Sequence, residues 1–183
     1  MIYTEITPNP ASLKFITSQT LLAKGSADFP TVKDTDESPL ARKLFDFAFV
    51  ERVFISSNFV TITKAESFNW EEIIPVVKNF LKAFFASGQD VFTGKLAEVP
   101  EPEATDDNEV VSRIKSLLES HVRPGVAMDG GDIIYQDFTD EGILKLRLQG
   151  SCSGCPSATI TLKAGIEGLM TRMIPEVKSV EAV

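Results

Sequence analysis

Apolar positions along the chain recur with two different periods, and the switches between them mark the elements. "MIYTEI" and "NPASLKFIT" alternate in part and predict two short strands at the start. Ser38 followed by Pro39 is an N-cap and first-helical-residue pair, which opens a short helix through Ala41, Leu44 and Phe45. In "ERVFISSNFVTITK" two β-rich runs, 53–55 and 59–62, flank Ser56, Ser57 and Asn58, which predicts a hairpin. "NWEEIIPVVKNFLKAFFASG" has the period of an amphipathic helix. Asn69 stands at its N-cap, Glu71 and Glu72 in its first turn, and Gly88 beyond its end. Pro75 is expected to kink that helix or delay its start.

The second half reads helix, strand, strand, helix, strand. Asn108 caps a helix whose apolar positions Val110, Ile114, Leu117 and Leu118 share one face, and "RPGVAMDGGD" marks its end. "DIIYQDF" and "ILKLRLQ" flank residues 139–142, a hairpin loop closing on a glycine. Leu144, Leu146 and Leu148 alternate with Lys145 and Arg147, so one face of that strand is buried. Pro156 fits the first turn of the next helix, with Cys155 at its N-cap. In that helix Ile160, Ala164 and Met170 lie near one stripe, with Leu162, Ile166 and Leu169 beside it. "VKSVEAV" alternates and closes the chain as a strand. The fold class is therefore α+β.

Composition divides this pattern in two. Residues 97–109, "AEVPEPEATDDNE", hold two prolines and six acidic side chains and almost nothing apolar, the signature of a linker. The expected layout is a first domain over 1–96, a linker over 97–107 and a second domain over 108–183. Residues 1–100 carry 10 basic and 12 acidic side chains, and residues 101–183 carry 8 and 14, so the acidity lies mostly in the second half. An overall charge of −8 argues against nucleic acid as a partner. No apolar run approaches the roughly 20 residues that span a bilayer, so no membrane is expected either. No secretory signal is visible at the start. The expected home is a reducing one: bacterial cytoplasm, or the mitochondrial matrix if a transit peptide has been removed.

Chemistry concentrates in "GSCSGCPSATITLK". It holds Cys152 and Cys155, the two cysteines of the sequence, in C-x-x-C spacing. A closed zinc site or a cubane cluster takes four ligands, so one chain supplies half of either. Three readings stand open: half a metal or cluster site, a thiol–disulfide pair, or inert structure. A thiolate near a helix N-terminus is favoured by free N–H groups and the dipole. Ser153 and Gly154 are small and leave the loop open, so a second copy of the loop completes the ligand set most simply. Against a dithiol, Ser151 stands where thioredoxin-like motifs carry an aromatic residue.

Other candidates have blander readings. Asp129 and Asp132 around Gly130–Gly131 can attract a cation, but a glycine-requiring turn is the simpler account. His121 suits a helix C-terminus better than a metal. Trp70, Phe80, Phe84 and Phe85 can line a groove, but fit a core as well. Asp36 and Glu37 read as a solvated face.

"MDGGDI", "LRLQGSCSGCPSATITLKAGIE" and "IPEVKSV" together resemble the NifU C-terminal domain. "TPNPASLKF", "SPLARKLF" and "VFISSNFVTITK" resemble the N-terminal domain of Nfu-type proteins, so the resemblance covers almost the whole chain. It implies a scaffold or carrier, not an enzyme, that binds a [4Fe–4S] cluster between two chains and passes it to apo iron–sulfur proteins. It also implies Cys152 and Cys155 as the ligands, a homodimer when the cluster is bound, and upstream cluster assembly proteins as donors. The alternative uses of the same motif are a thiol–disulfide oxidoreductase and a zinc-binding protein. The further cysteine-rich domain of some NifU proteins is not seen in this sequence, so assembly on such a domain is not implied.

Overall fold

The computed structural model describes residues 1–93, 108–153 and 156–183; the side chains of 156–158 are excluded. The chain divides into two compact units, Met1–Glu101 and Pro102–Val183. Both mix helices with sheets, so the α+β class holds. The expected linker lies outside the described residues.

In the first unit five antiparallel strands run in the order β1-β2-β5-β4-β3. They are β1 (Ile2–Ile6), β2 (Ser12–Thr17), β3 (Ser26–Phe29), β4 (Val50–Ser56) and β5 (Phe59–Lys64). The β4–β5 hairpin turns at Ser57 and Asn58, with Ser57 in the left-handed region at φ 46°. Leu13, Phe15, Val53, Ile55, Val60 and Ile62 join one core cluster with the two helices α1 (Pro39–Leu44) and α2 (Trp70–Ala86). Helix α2 contributes Ile73, Val77, Leu81 and Phe84 at helical spacing.

Local chemistry explains the ends. The Ser38 hydroxyl accepts the Ala41 N–H and donates to the Val91 carbonyl, while Pro39 opens α1 as expected. Asn69 occupies the N-cap of α2, but its side chain makes no cap hydrogen bond. Pro75 does not delay the start of α2, which begins at Trp70 and runs on through it. The Trp70 indole donates to the Pro10 carbonyl at 3.0 Å, and Phe80, Phe84 and Phe85 pack on the core cluster. The groove reading of these aromatics gives way to the core reading. Strand β3 was not legible: "SADF" has one buried apolar residue, Phe29, and no alternation.

The second unit begins with α3 (Glu109–Leu117), where the Asn108 side chain accepts the Val110 N–H. The sequence reading stops this helix at Arg123–Pro124–Gly125. The chain instead passes through a π-helical turn, Leu118–Val122, into α4 (Arg123–Met128). Pro124 has no N–H for the carbonyl four residues back, and its ring would crowd that carbonyl. The wider turn accommodates it: the Arg123 N–H reaches back to Leu118.

Then come β6 (Gly131–Phe138), β7 (Ile143–Gly150), α5 (Pro156–Met173) and β8 (Ser179–Ala182), in a sheet of order β6-β7-β8. Strands β6 and β7 are antiparallel, whereas β8 is parallel to β7 and so needs the α5 crossover. Ile114, Val126, Ile133, Leu144, Leu146, Ile166, Met170 and Val180 are among the residues of its core. The α5 stripe differs from the expected one. Ile166 and Met170 are buried, with Leu162 and Leu169 against the same cluster, while Ile160 and Ala164 face solvent.

Candidate functional site

Hairpin register builds the site. Gly131 pairs with Gly150, so the start of β6 and the end of β7 lie side by side. This brings "MDGGD" and "GSCS", about twenty residues apart, to one end of the sheet. Gly130 has φ 79°, a left-handed conformation that glycine adopts without a Cβ penalty. The Ser151 N–H donates to the Gly130 carbonyl at 3.3 Å, and the Ser151 hydroxyl donates to the Asp129 carbonyl. The Thr159 hydroxyl, in the first turns of α5, donates to the Cys152 carbonyl at 3.2 Å. The loop after β7 is thus tied to the β6 turn on one side and to α5 on the other.

The sequence reading puts both sulfurs in an open loop. The structure corrects this for Cys152, which is 5% exposed and belongs to the core cluster. Uncharged cysteine behaves as a small apolar side chain, and the space it fills exists because residue 131 is a glycine. A Cβ placed there would stand 2.9 Å from the Cys152 sulfur and 2.5 Å from the Gln149 carbonyl oxygen. Burial pushes the Cys152 thiol up from 9.0 to about 11; the Ser151 hydroxyl opposes this, and the charges of Asp129 and Asp132 add to it. In this state Cys152 is a protonated thiol at neutral pH, not the favoured thiolate expected from the helix-terminus argument. Cys155 lies outside the described residues, as does its expected N-cap role.

Beside the thiol sits an ion pair that sequence reasoning missed. Arg123 donates from Nε and from one terminal nitrogen to the two Asp132 oxygens at 3.0 and 2.9 Å, and to Glu119 at 2.5 Å. Asp132 also accepts the Ile133 N–H at 2.8 Å. The Asp132 hydrogen bond, chiefly, raises the Arg123 pKa. Asp132 is therefore a structural anchor of the β6 entry, and the turn reading of "MDGGD" prevails over a cation site. Among the described residues no group of three or more His, Cys, Asp or Glu side chains is placed to hold a metal ion. His121 is exposed in the π turn, its Nδ1 2.7 Å from the Ser120 hydroxyl, consistent with its surface reading. Arg123 was hidden because "RPG" reads as a helix stop. The signal for Gly131 was the second glycine of "MDGGD", one more than the turn itself requires.

Comparison with known proteins places this arrangement. The model "Scaffold protein Nfu/NifU N terminal" matches residues 2–88, and "NifU-like domain" matches residues 114–181. The "NFU1 iron-sulfur cluster scaffold homolog, mitochondrial" of Homo sapiens is 46% identical over 100% of this chain and 71% of its own length. The chain belongs to the Nfu/NifU family. "NifU-like protein 4, mitochondrial" of Arabidopsis thaliana is 45% identical over 98% of this chain. The chain spans 65% of that relative's length. A solution structure of a NifU-like protein from Saccharomyces cerevisiae is 28% identical and covers 52% of this chain and 86% of its own, with a TM-score of 0.46. In this Nfu/NifU chain the cysteine loop and the glycine turn both fall within the second matched region. Among the described residues no helix is long and apolar enough to cross a membrane.

Proposed function

We propose that this protein is an iron–sulfur cluster scaffold and carrier, holding its cargo through Cys152 and Cys155 and handing it to apo-proteins. The observation that supports the reading is that Cys152 follows the sheet end where Gly131 meets Gly150, in a chain of the Nfu/NifU family whose sequence carries a C-x-x-C there. The sequence has two cysteines and a cluster takes four thiolates, so the cargo is shared between two chains; the resemblance to the NifU domain implies that it is a [4Fe–4S] cluster. The name of the human relative, an iron-sulfur cluster scaffold, supports an iron–sulfur cargo. Each sulfur must lose its proton to bind iron, and for Cys152 that means leaving the buried position.

Release follows from the same geometry. A cluster between two chains is exposed to an acceptor's thiolates as the pair opens, and acceptors offering several cysteines take it fastest through high effective concentration. Apo iron–sulfur proteins are the recipients and upstream assembly proteins the donors; turnover of a substrate is not required. Residues 97–107 are the linker between a domain over 1–96 and the cluster-binding domain over 108–183. The setting is reducing, a mitochondrial matrix or a bacterial cytoplasm; the relatives' names, which read mitochondrial, support the first.

Anaerobic reconstitution with iron and sulfide tests the ligands. Wild type should take up about four irons per two chains. Cys152→Ser and Cys155→Ser should each retain near none. Full iron and sulfide in both variants would end the proposal. A colourless wild type that reduces a disulfide substrate would favour the oxidoreductase.

A further inference from the structure

Cys152 is the proposed ligand, yet its thiol is packed in the core of the second unit. A sulfur held there cannot share a cluster with a second chain. Two contacts hold it in place. Gly131 leaves open the volume that the sulfur occupies; a methyl group at 131 would overlap it, at 2.9 Å. Ser151, the residue before the cysteine, is bound through its hydroxyl and its N–H to the 129–130 turn. Both contacts converge on Cys152, which must move for the cargo to bind.

We infer that Gly131 and Ser151 are positioning residues for Cys152: the chain stows this thiol in the space left by Gly131, Ser151 latches it there through the 129–130 turn, and cluster binding draws the thiol out. The inference rests on the reading of Cys152 as a ligand. Its consequence is protection, because a stowed thiol is shielded from oxidants and alkylating agents between rounds of transfer. Loading then begins with release of the Cys152 thiol, and that step, not iron capture, limits its entry into the site.

The test uses thiol labelling of the full-length, cluster-free chain in a Cys155→Ser background, so that one sulfur is read. At a fixed neutral pH, N-ethylmaleimide should modify Cys152 more than about tenfold slower in the native chain than in urea. Ser151→Ala should speed native labelling by about tenfold, and Gly131→Ala by at least as much. Circular dichroism checks the fold of both variants. If Gly131→Ala does not fold, because its new methyl also meets the Gln149 carbonyl, Ser151→Ala decides alone. Native labelling within about twofold of the rate in urea would overturn the inference. So would unchanged rates in every folded variant. No iron is present in these assays, so their failure is distinct from failure of the ligand reading, which iron retention by Cys152→Ser reports.

Discussion

In the first unit, Phe15, Val53, Ile55, Val60 and Ile62 from the sheet meet Val77 and Leu81 from the helix, all fully buried. Its buried polar groups are held by local partners: Lys14 lies 3.4 Å from Glu5 and over the Phe59 ring, and Ser38 caps a helix. The second unit packs its core with the same aliphatic side chains but admits a thiol among them, and places the Asp132–Arg123 pair at its edge. Both units lay helices and a hairpin-based sheet around one apolar cluster. The difference is that one core is closed by apolar packing, whereas the other leaves a glycine-shaped space for the thiol proposed as a ligand.

The largest effect should come from breaking the apolar cluster of the first unit. Phe15→Ala removes a ring with no exposure and should cost the first unit about 4 kcal/mol. If residues 97–107 are a linker, thermal unfolding should show the first unit's transition fall while the second unit's stays put. A single transition that falls as a whole would show the two units to be coupled.

Next in size is the anchor beside the thiol. Arg123→Met leaves the Asp132 carboxylate buried without its guanidinium and should cost the second unit about 3 kcal/mol. Denaturant unfolding of wild type and variant measures it. A cost near zero would mean that water replaces the arginine and that the pair is not what fixes the β6 entry.

A smaller effect is the pH dependence that the stowed thiol imposes. The Cys152 thiol holds its proton more tightly when folded, at about 11, than when unfolded, at 9.0. Its contribution is therefore complete below pH 9 and is lost as pH rises toward 11, by about 2 kcal/mol. Lysines and tyrosines titrate in the same range, so the difference between wild type and Cys152→Ala is the readout. Wild type should lose stability more steeply than the variant across that window. Parallel curves would place the thiol in water and contradict its burial.

The same contrast explains what could be read in advance. Elements carried by strong local signals were legible: Ser38–Pro39 opening α1, the β4–β5 hairpin, and the alternation of Leu144 and Leu146 in β7. The cysteine loop and its position between strand and helix were legible too. What failed depended on contacts far apart in sequence. Pro124 and Gly125 read as a stop, because no local rule reveals that a π turn will absorb the proline. Ile160 was assigned to the buried stripe by spacing alone, yet the sheet meets α5 on the face of Ile166 and Met170. Burial of Cys152 could not be foreseen, since small neighbours suggest an open loop. Gly131, on the neighbouring strand, lets the sulfur sink beneath the loop, and the β6–β7 register sets it there.

The central claim is that one cysteine pair per chain makes half of a shared cluster site. Native mass spectrometry of the anaerobically reconstituted protein tests it most directly, because it weighs chains and cluster together. The account predicts a species of two chains with one [4Fe–4S] unit, about four irons per pair, that dissociates to bare single chains when the cluster is removed. A single chain carrying a complete cubane, or a pair of chains that keeps its cluster after Cys152→Ser, would contradict it.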